Sequence, residues 1–97
     1  MPIFDTHAHY DDSRFDGDRD AVLAALPEAG VELVLDPGCD LPSSEASVAL
    51  AHKYSFVYAA VGSHPDDADH VDEARIAVYR ELFILIRPLV ERFLDQL

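Results

Sequence analysis

Three short apolar runs, residues 3–6, 31–36 and 56–61, each stop at polar or chain-breaking residues and are separated by stretches with helical spacing. No other feature narrows the possible folds as much. Val31-Glu32-Leu33-Val34-Leu35-Asp36 and Phe56-Val57-Tyr58-Ala59-Ala60-Val61 are apolar and rich in β-branched or aromatic residues, the composition of strands covered on both faces. Pro37-Gly38 closes the first of these, and Gly62-Ser63-His64-Pro65 closes the second. Ile3-Phe4-Asp5-Thr6 predicts a short buried strand that delivers a polar cluster, Asp5 to Asp12, at its carboxyl end.

The intervening segments read as helices. Across residues 18–29, Asp16, Asp18 and Asp20 suit the positive amino-terminal end of a helix, Val22, Leu23 and Leu26 supply an apolar face, and Gly30 is a stop. Pro27 offers no amide to the carbonyl of Leu23, so the last turn should be kinked or cut short. Asp40 is placed to cap a second helix, with Pro42 in its first turn, Ala46, Val48 and Leu50 on its packing surface, and an end near Tyr54. A last segment, residues 71–96, sets Ala74, Val78, Leu82 and Leu85 on one face and Ile76, Tyr79, Phe83, Ile86 and Val90 nearly opposite, which asks for burial on two sides. Pro88 would clash with the carbonyl of Ile84, so two helical pieces are expected there rather than one rod.

Strand, helix, strand, helix, strand, helix is the signature of an α/β fold with parallel strands, which gathers functional groups at the strands' carboxyl ends. A chain of 97 residues, 49% of them hydrophobic, has room for one such unit with a real core. Nothing in it repeats at the level of sequence or reads as a flexible linker.

Charge limits the partners. Nineteen acidic groups stand against seven basic ones, for a formal charge of -12. Non-specific attraction to phosphates is disfavoured, so a nucleic acid would have to be held through metal ions and a few arginines. Cys39 is alone and cannot form an intrachain disulfide, and the amino terminus has no signal-peptide pattern, so the expected location is the cytoplasm. The most apolar stretch, residues 82–97, carries Arg87, Pro88, Glu91, Arg92 and Asp95 and does not fit a membrane span.

The chemistry concentrates in Asp5-Thr6-His7-Ala8-His9. Side chains two apart in an extended segment project to the same side, so the two imidazoles can converge on one metal ion. Neutral imidazole suits zinc and similar ions at about 2.0–2.1 Å, and the small Ala8 between the rings causes no crowding. As bare spacing the pair is a weak signal. Its place directly after a first strand, with Asp5 before it and Tyr10-Asp11-Asp12 after it, is where parallel barrels carry metal ligands. The bland alternative is a pair of surface loop histidines. Cys39 reads as structural, with no activating cation beside it, and His52 and His70 read as solvated.

Phe4-Asp5-Thr6-His7-Ala8-His9-Tyr10, Asp36-Pro37-Gly38-Cys39-Asp40 and Gly62-Ser63-His64-Pro65, in that order, resemble the successive strand-end signatures of the TatD-family deoxyribonucleases. That resemblance implies an amidohydrolase-like TIM barrel, of which this chain would supply about three βα units. It implies that His7 and His9 are the first metal ligands, and that His64 is a catalytic residue at the mouth of the site, assisting substrate or water. An evenly weighted alternative leaves His64 as a loop histidine bonded to the strand end. The implied cofactor is a divalent metal ion (zinc, magnesium or manganese), with no other cofactor-binding residues, and the implied partner is DNA as substrate.

Departures from the family pattern are equally informative. The family's Gly-Glu-x-Gly-Leu-Asp segment, its two later ligand histidines and its late aspartate have no counterpart, and the hydrophobic run after Arg75 resembles no family strand. The expectation is a single incomplete barrel segment over residues 1–97, family-like through 70 and continuing as a divergent hydrophobic helical tail over 71–97. It would be the amino-terminal part of a metal-dependent hydrolase with negligible turnover alone, because two histidines cannot hold a two-metal site. Two other readings remain. One is a non-catalytic module that self-associates through the 71–97 helix or an open sheet edge. The other is a different amidohydrolase, since His-x-His on a first strand is shared by hydrolases of amides, lactones and phosphoesters.

Overall fold

A computed structural model describes residues 2–95, with residues 86–90, 92 and 93 as backbone alone. Strands β1 (Ile3–Asp5), β2 (Val31–Pro37) and β3 (Val57–Ala60) form one parallel sheet in the order β1-β2-β3. Parallel pairing puts all three carboxyl ends on one rim. An order that advances in a single direction is that of a barrel wall, whereas a doubly wound sheet reverses.

The breaks foreseen in the sequence set the register. Val34 pairs with Val57 and Asp36 with Ala59, so the second and third rim segments leave the sheet almost level. In β2, Leu33 and Val34 point to opposite faces and both are buried, as a strand covered on both sides requires. Helix α1 (Arg19–Ala25) is shorter than the 18–29 expected. Pro27 cannot continue the ladder, Leu26 closes it by donating to Leu23 O, and Gly30 at φ 95 turns the chain into β2. Leu23 is the one buried residue of α1 and joins the core with Leu33, Val34 and Val57.

Helix α2 (Leu41–Lys53) lies on β2 and β3, and α3 (Glu73–Asp95) lies on α2 and β3. Asp40 caps α2 with a reciprocal capping box: its carboxylate accepts from Ser43 N at 2.9 Å, and Ser43 Oγ accepts from Asp40 N at 3.0 Å. Tyr54 is the carboxyl-terminal cap, as the sequence predicts.

Two expectations need correction. β1 is not buried: Ile3 is 51% and Phe4 57% exposed, because this edge strand packs chiefly on β2 and its faces lack helices. Residues 73–95 form one helix rather than two pieces, its backbone continuous through Pro88. The carbonyl of Ile84, which Pro88 deprives of its amide partner, belongs to a residue 68% exposed, so water can satisfy it. Of the two apolar faces expected on α3, Val78 and Leu82 of the first and Tyr79 of the second pack on the core, while Ala74, Leu85, Ile76 and Phe83 stand exposed. The side chains of Ile86 and Val90, and residue Gln96, lie outside the described residues.

Candidate metal centre

The segment leaving β1 stays tied to the sheet for three residues more. Asp5 Oδ1 accepts from the amide of His7 at 3.3 Å, and Ala8 N donates to Leu35 O at 3.1 Å, continuing the alignment with β2. His7 and His9 therefore flank an anchored residue and lean the same way. Their Nε2 atoms are 3.0 Å apart, with ring planes at 84°. Two nitrogens bound at about 2.0–2.1 Å to one ion lie about 3 Å apart, so the pair has the spacing a shared cation needs. His7 is exposed and His9 half-buried, so the pair opens toward solvent.

Beneath His9 lies a feature that the sequence reading passed over. Asp36, the last polar residue of β2, is fully buried, and its Oδ2 accepts from Asp11 N at 3.1 Å. The Asp11 side chain is 7% exposed, with Oδ1 4.0 Å from His9 Nδ1. Oδ1 of Asp11 and Oδ1 of Asp36 are both buried without a hydrogen-bond partner. Donor atoms of His9, Asp11 and Asp36 all lie within 4.8 Å of one another. Burial, reinforced by the neighbouring Asp11 carboxyl, pushes the Asp36 carboxyl up to about 8. The only local signal is an acid that closes an apolar β run, on the same face as Val34. Its partner lies 25 residues away, beyond any local pattern.

His64 comes to the same place from β3. A cavity of about 440 Å³ is lined by His7, His9, Cys39, Ser63 and His64, so all three predicted site residues meet at one cleft on the rim. His64 N donates to Cys39 O at 2.6 Å and Gly38 N to Ala60 O at 2.7 Å, which laces the exits of β2 and β3 together. Gly38 is also pressed against the start of α2, where a Cβ would stand 2.2 Å from Ser44 Oγ and 2.6 Å from Ser44 Cα. The His64 ring accepts from Asp66 N through Nδ1 at 3.1 Å, so in its neutral form the ring proton sits on Nε2. Burial, then Asp11, Asp40 and Asp36, raises the Cys39 thiol above its usual range, in keeping with an inert role. His52 and His70 are exposed and away from the cleft.

Arg19 supports the histidine loop from α1. Its Nε donates to Tyr10 O at 2.6 Å, and Nη2 donates to Asp12 O at 2.8 Å and Asp11 O at 3.2 Å.

The donor set suits a divalent ion on two counts, the facing imidazole nitrogens and the two orphaned buried carboxylate oxygens beside them.

Comparison with known proteins gives the same direction. The chain is 35% identical over 80 residues to the uncharacterized metal-dependent hydrolase YabD of Bacillus subtilis, covering 82% of this chain and 31% of that protein. It is 39% identical over 63 residues to the uncharacterized metal-dependent hydrolase YjjV of Escherichia coli, covering 65% and 24%. To the 3'-5' ssDNA/RNA exonuclease TatD of Cronobacter turicensis it is 34% identical over 80 residues, covering 82% and 30%. The chain thus spans between about a quarter and a third of the length of these curated relatives. The family model for TatD related DNases matches residues 4–90, from the first strand well into α3, and the chain belongs to that family.

Proposed function

We propose that this chain carries the first part of a divalent-metal site for phosphodiester hydrolysis of DNA, with His7 and His9 as ligands and His64 as the residue facing substrate. The observation that carries the reading is the 3.0 Å approach of the two Nε2 atoms in a cleft that His64 also lines. When bound, a divalent ion supplies Lewis acidity toward water and a phosphoryl oxygen. The protein's own groups do the rest. Neutral His7 and His9 offer lone pairs from an anchored segment, which avoids ordering a loose loop on binding. His64, with its proton on Nε2, is set to donate to a phosphate oxygen or a departing alkoxide. The backbone amide of Asp66 holds that tautomer in place.

The acidic surface makes an electrostatic footprint on DNA weak, so substrate would be held at the cleft itself. The family's bridging glutamate and later ligands have no counterpart in these residues, so turnover by this chain alone should be negligible. Calorimetric titration of the 97-residue chain with Zn²⁺ or Mn²⁺, against a His7→Ala/His9→Ala variant of unchanged circular dichroism, tests the reading. Loss of uptake in the variant is expected; equal uptake by both proteins would end it. A 3'-labelled single-stranded oligonucleotide incubated with the chain and Mn²⁺ tests for residual cleavage.

A second reading rests on a different observation. Ile3 and Phe4 on β1, and Phe83, Ile84 and Leu85 on α3, are each at least half exposed. Apolar surface of that kind favours self-association, in which the metal cleft would play no part.

A further inference from the structure

The facing histidines account for His7 Nε2 and His9 Nε2, and leave the buried oxygens under His9 unexplained. Two carboxylates, one fully buried and one 7% exposed, keep Oδ1 atoms that no donor reaches. Leaving such atoms unmatched costs free energy, which either a proton shared between the two carboxyls or a cation placed between them would recover. Among the described residues no lysine or arginine hydrogen-bonds either oxygen. Arg19, on α1 beside the loop, directs Nε and Nη2 to Tyr10 O, Asp11 O, Asp12 O and Asp16 Oδ1 instead. The remaining nearby donor atom is the imidazole nitrogen of His9 that faces away from His7, 4.0 Å from Asp11 Oδ1.

We propose that Asp11 and Asp36, with His9, form a cation site of their own, which takes a hard divalent ion of the Mn²⁺ or Mg²⁺ type. Two carboxylates to one imidazole is an oxygen-rich set, and oxygen donors favour those ions over zinc. All three donor atoms lie within 4.8 Å of one another, so small side-chain rotations bring them to one centre. The backbone fixes the set from three directions: Asp36 at the carboxyl end of β2, Asp11 through its amide on Asp36 Oδ2, and His9 through the anchored Ala8. The proposal rests on the preceding reading only in sharing His9, whose neutral ring has one lone pair and so serves either this site or the pair with His7. It differs in assigning the carboxylates, and in needing no residue outside this chain.

The test measures Mn²⁺ uptake by the full 97-residue chain from the loss of the free-ion electron paramagnetic resonance signal, with circular dichroism and thermal melting as controls of folding. Asp36→Asn preserves shape, and it should weaken Mn²⁺ binding at least about tenfold. Asp11→Asn should do the same, and it serves in place of Asp36→Asn should that variant fail to fold. His7→Ala reports on the histidine pair separately, and should weaken Mn²⁺ binding less than either aspartate change. A folded Asp36→Asn or Asp11→Asn protein with parental Mn²⁺ affinity overturns the proposal and leaves the carboxyls joined by a shared proton, while the histidine pair stays open to its own test. A parent chain that takes up no Mn²⁺ overturns it as well.

Discussion

A single guanidinium holds the backbone that follows His9. Arg19 reaches the carbonyls of Tyr10, Asp11 and Asp12 from α1, so three consecutive peptides are fixed by donors of one planar group. Lysine keeps the charge but offers a tetrahedral ammonium that cannot fork across three carbonyls. Arg19→Lys should lower stability by about 1–2 kcal/mol, the loss of one or two net hydrogen bonds, and should weaken divalent-ion binding by roughly threefold to tenfold through disorder of His9 and Asp11. Urea unfolding and metal titration check the two effects, and parental affinity in a destabilised variant would sever the link to the site. Gly38 is the other residue on which the rim depends. Gly38→Ala puts a methyl against the backbone of Ser44 at 2.6–2.8 Å, which no rotamer relieves, so about 1–3 kcal/mol of destabilisation is expected in the same urea experiment. The sequence announces Gly38 as a break beside Pro37, and announces His7 and His9 by spacing. It does not announce the roles of Arg19, whose acceptors are backbone carbonyls that carry no side-chain signal, or of Asp36, whose partner Asp11 lies 25 residues away and meets it only after the chain has folded.

At the level of elements, local chemistry was legible wherever a single residue type settles the backbone. Asp40, Pro42 and Tyr54 bound α2 as their types demand, and Pro27 trims α1. Misreadings arose where solvent or a neighbour decides. Apolar Ile3 and Phe4 suggest a buried strand, but an edge position leaves them exposed, and Pro88 suggests a break that a solvated helix flank absorbs. The α2 cap also carries a pH dependence. Hydrogen bonds from Ser43 hold the Asp40 carboxyl below its ordinary 3.8. A group lowered on folding contributes stability above its unfolded pKa, and that contribution is lost as pH falls through the folded value. The melting temperature of the parent chain should therefore drop on acidification below about pH 4 by more than that of Asp40→Asn, which caps nearly as well but does not titrate. Asp40→Ala should cost about 1 kcal/mol at neutral pH. Parallel acid profiles for parent and Asp40→Asn would show that this carboxylate does not contribute the dependence.

For the whole molecule, the arrangement of covered and bare surface matters more than any one contact. Three parallel strands in sequential order leave open edges at β1 and β3 among the described residues, and helices cover β2 and β3 better than β1. Among those residues no helix is long and apolar enough to cross a membrane. Val61, Ile76, Tyr79, Phe83 and Ile84, with Arg80, line one shallow and mostly apolar groove between the end of β3 and α3. Fully covering a side chain of that size gains about 1.5–3 kcal/mol, and a symmetric dimer covers each exposed residue twice, which works against the cost of about 4–15 kcal/mol for lost translational and rotational freedom. Sedimentation of the purified chain at tens of micromolar should therefore give a species heavier than 10.7 kDa. A Phe83→Ser/Ile84→Ser variant should return toward the monomer with its metal affinity intact, because neither residue touches the histidine cleft. The strongly acidic surface opposes association through self-repulsion, so added salt should increase the heavier fraction if apolar contact drives it. A monomeric parent at every salt concentration would show that charge repulsion outweighs the bare apolar groove, and would leave the metal cleft as the functional feature of these 97 residues.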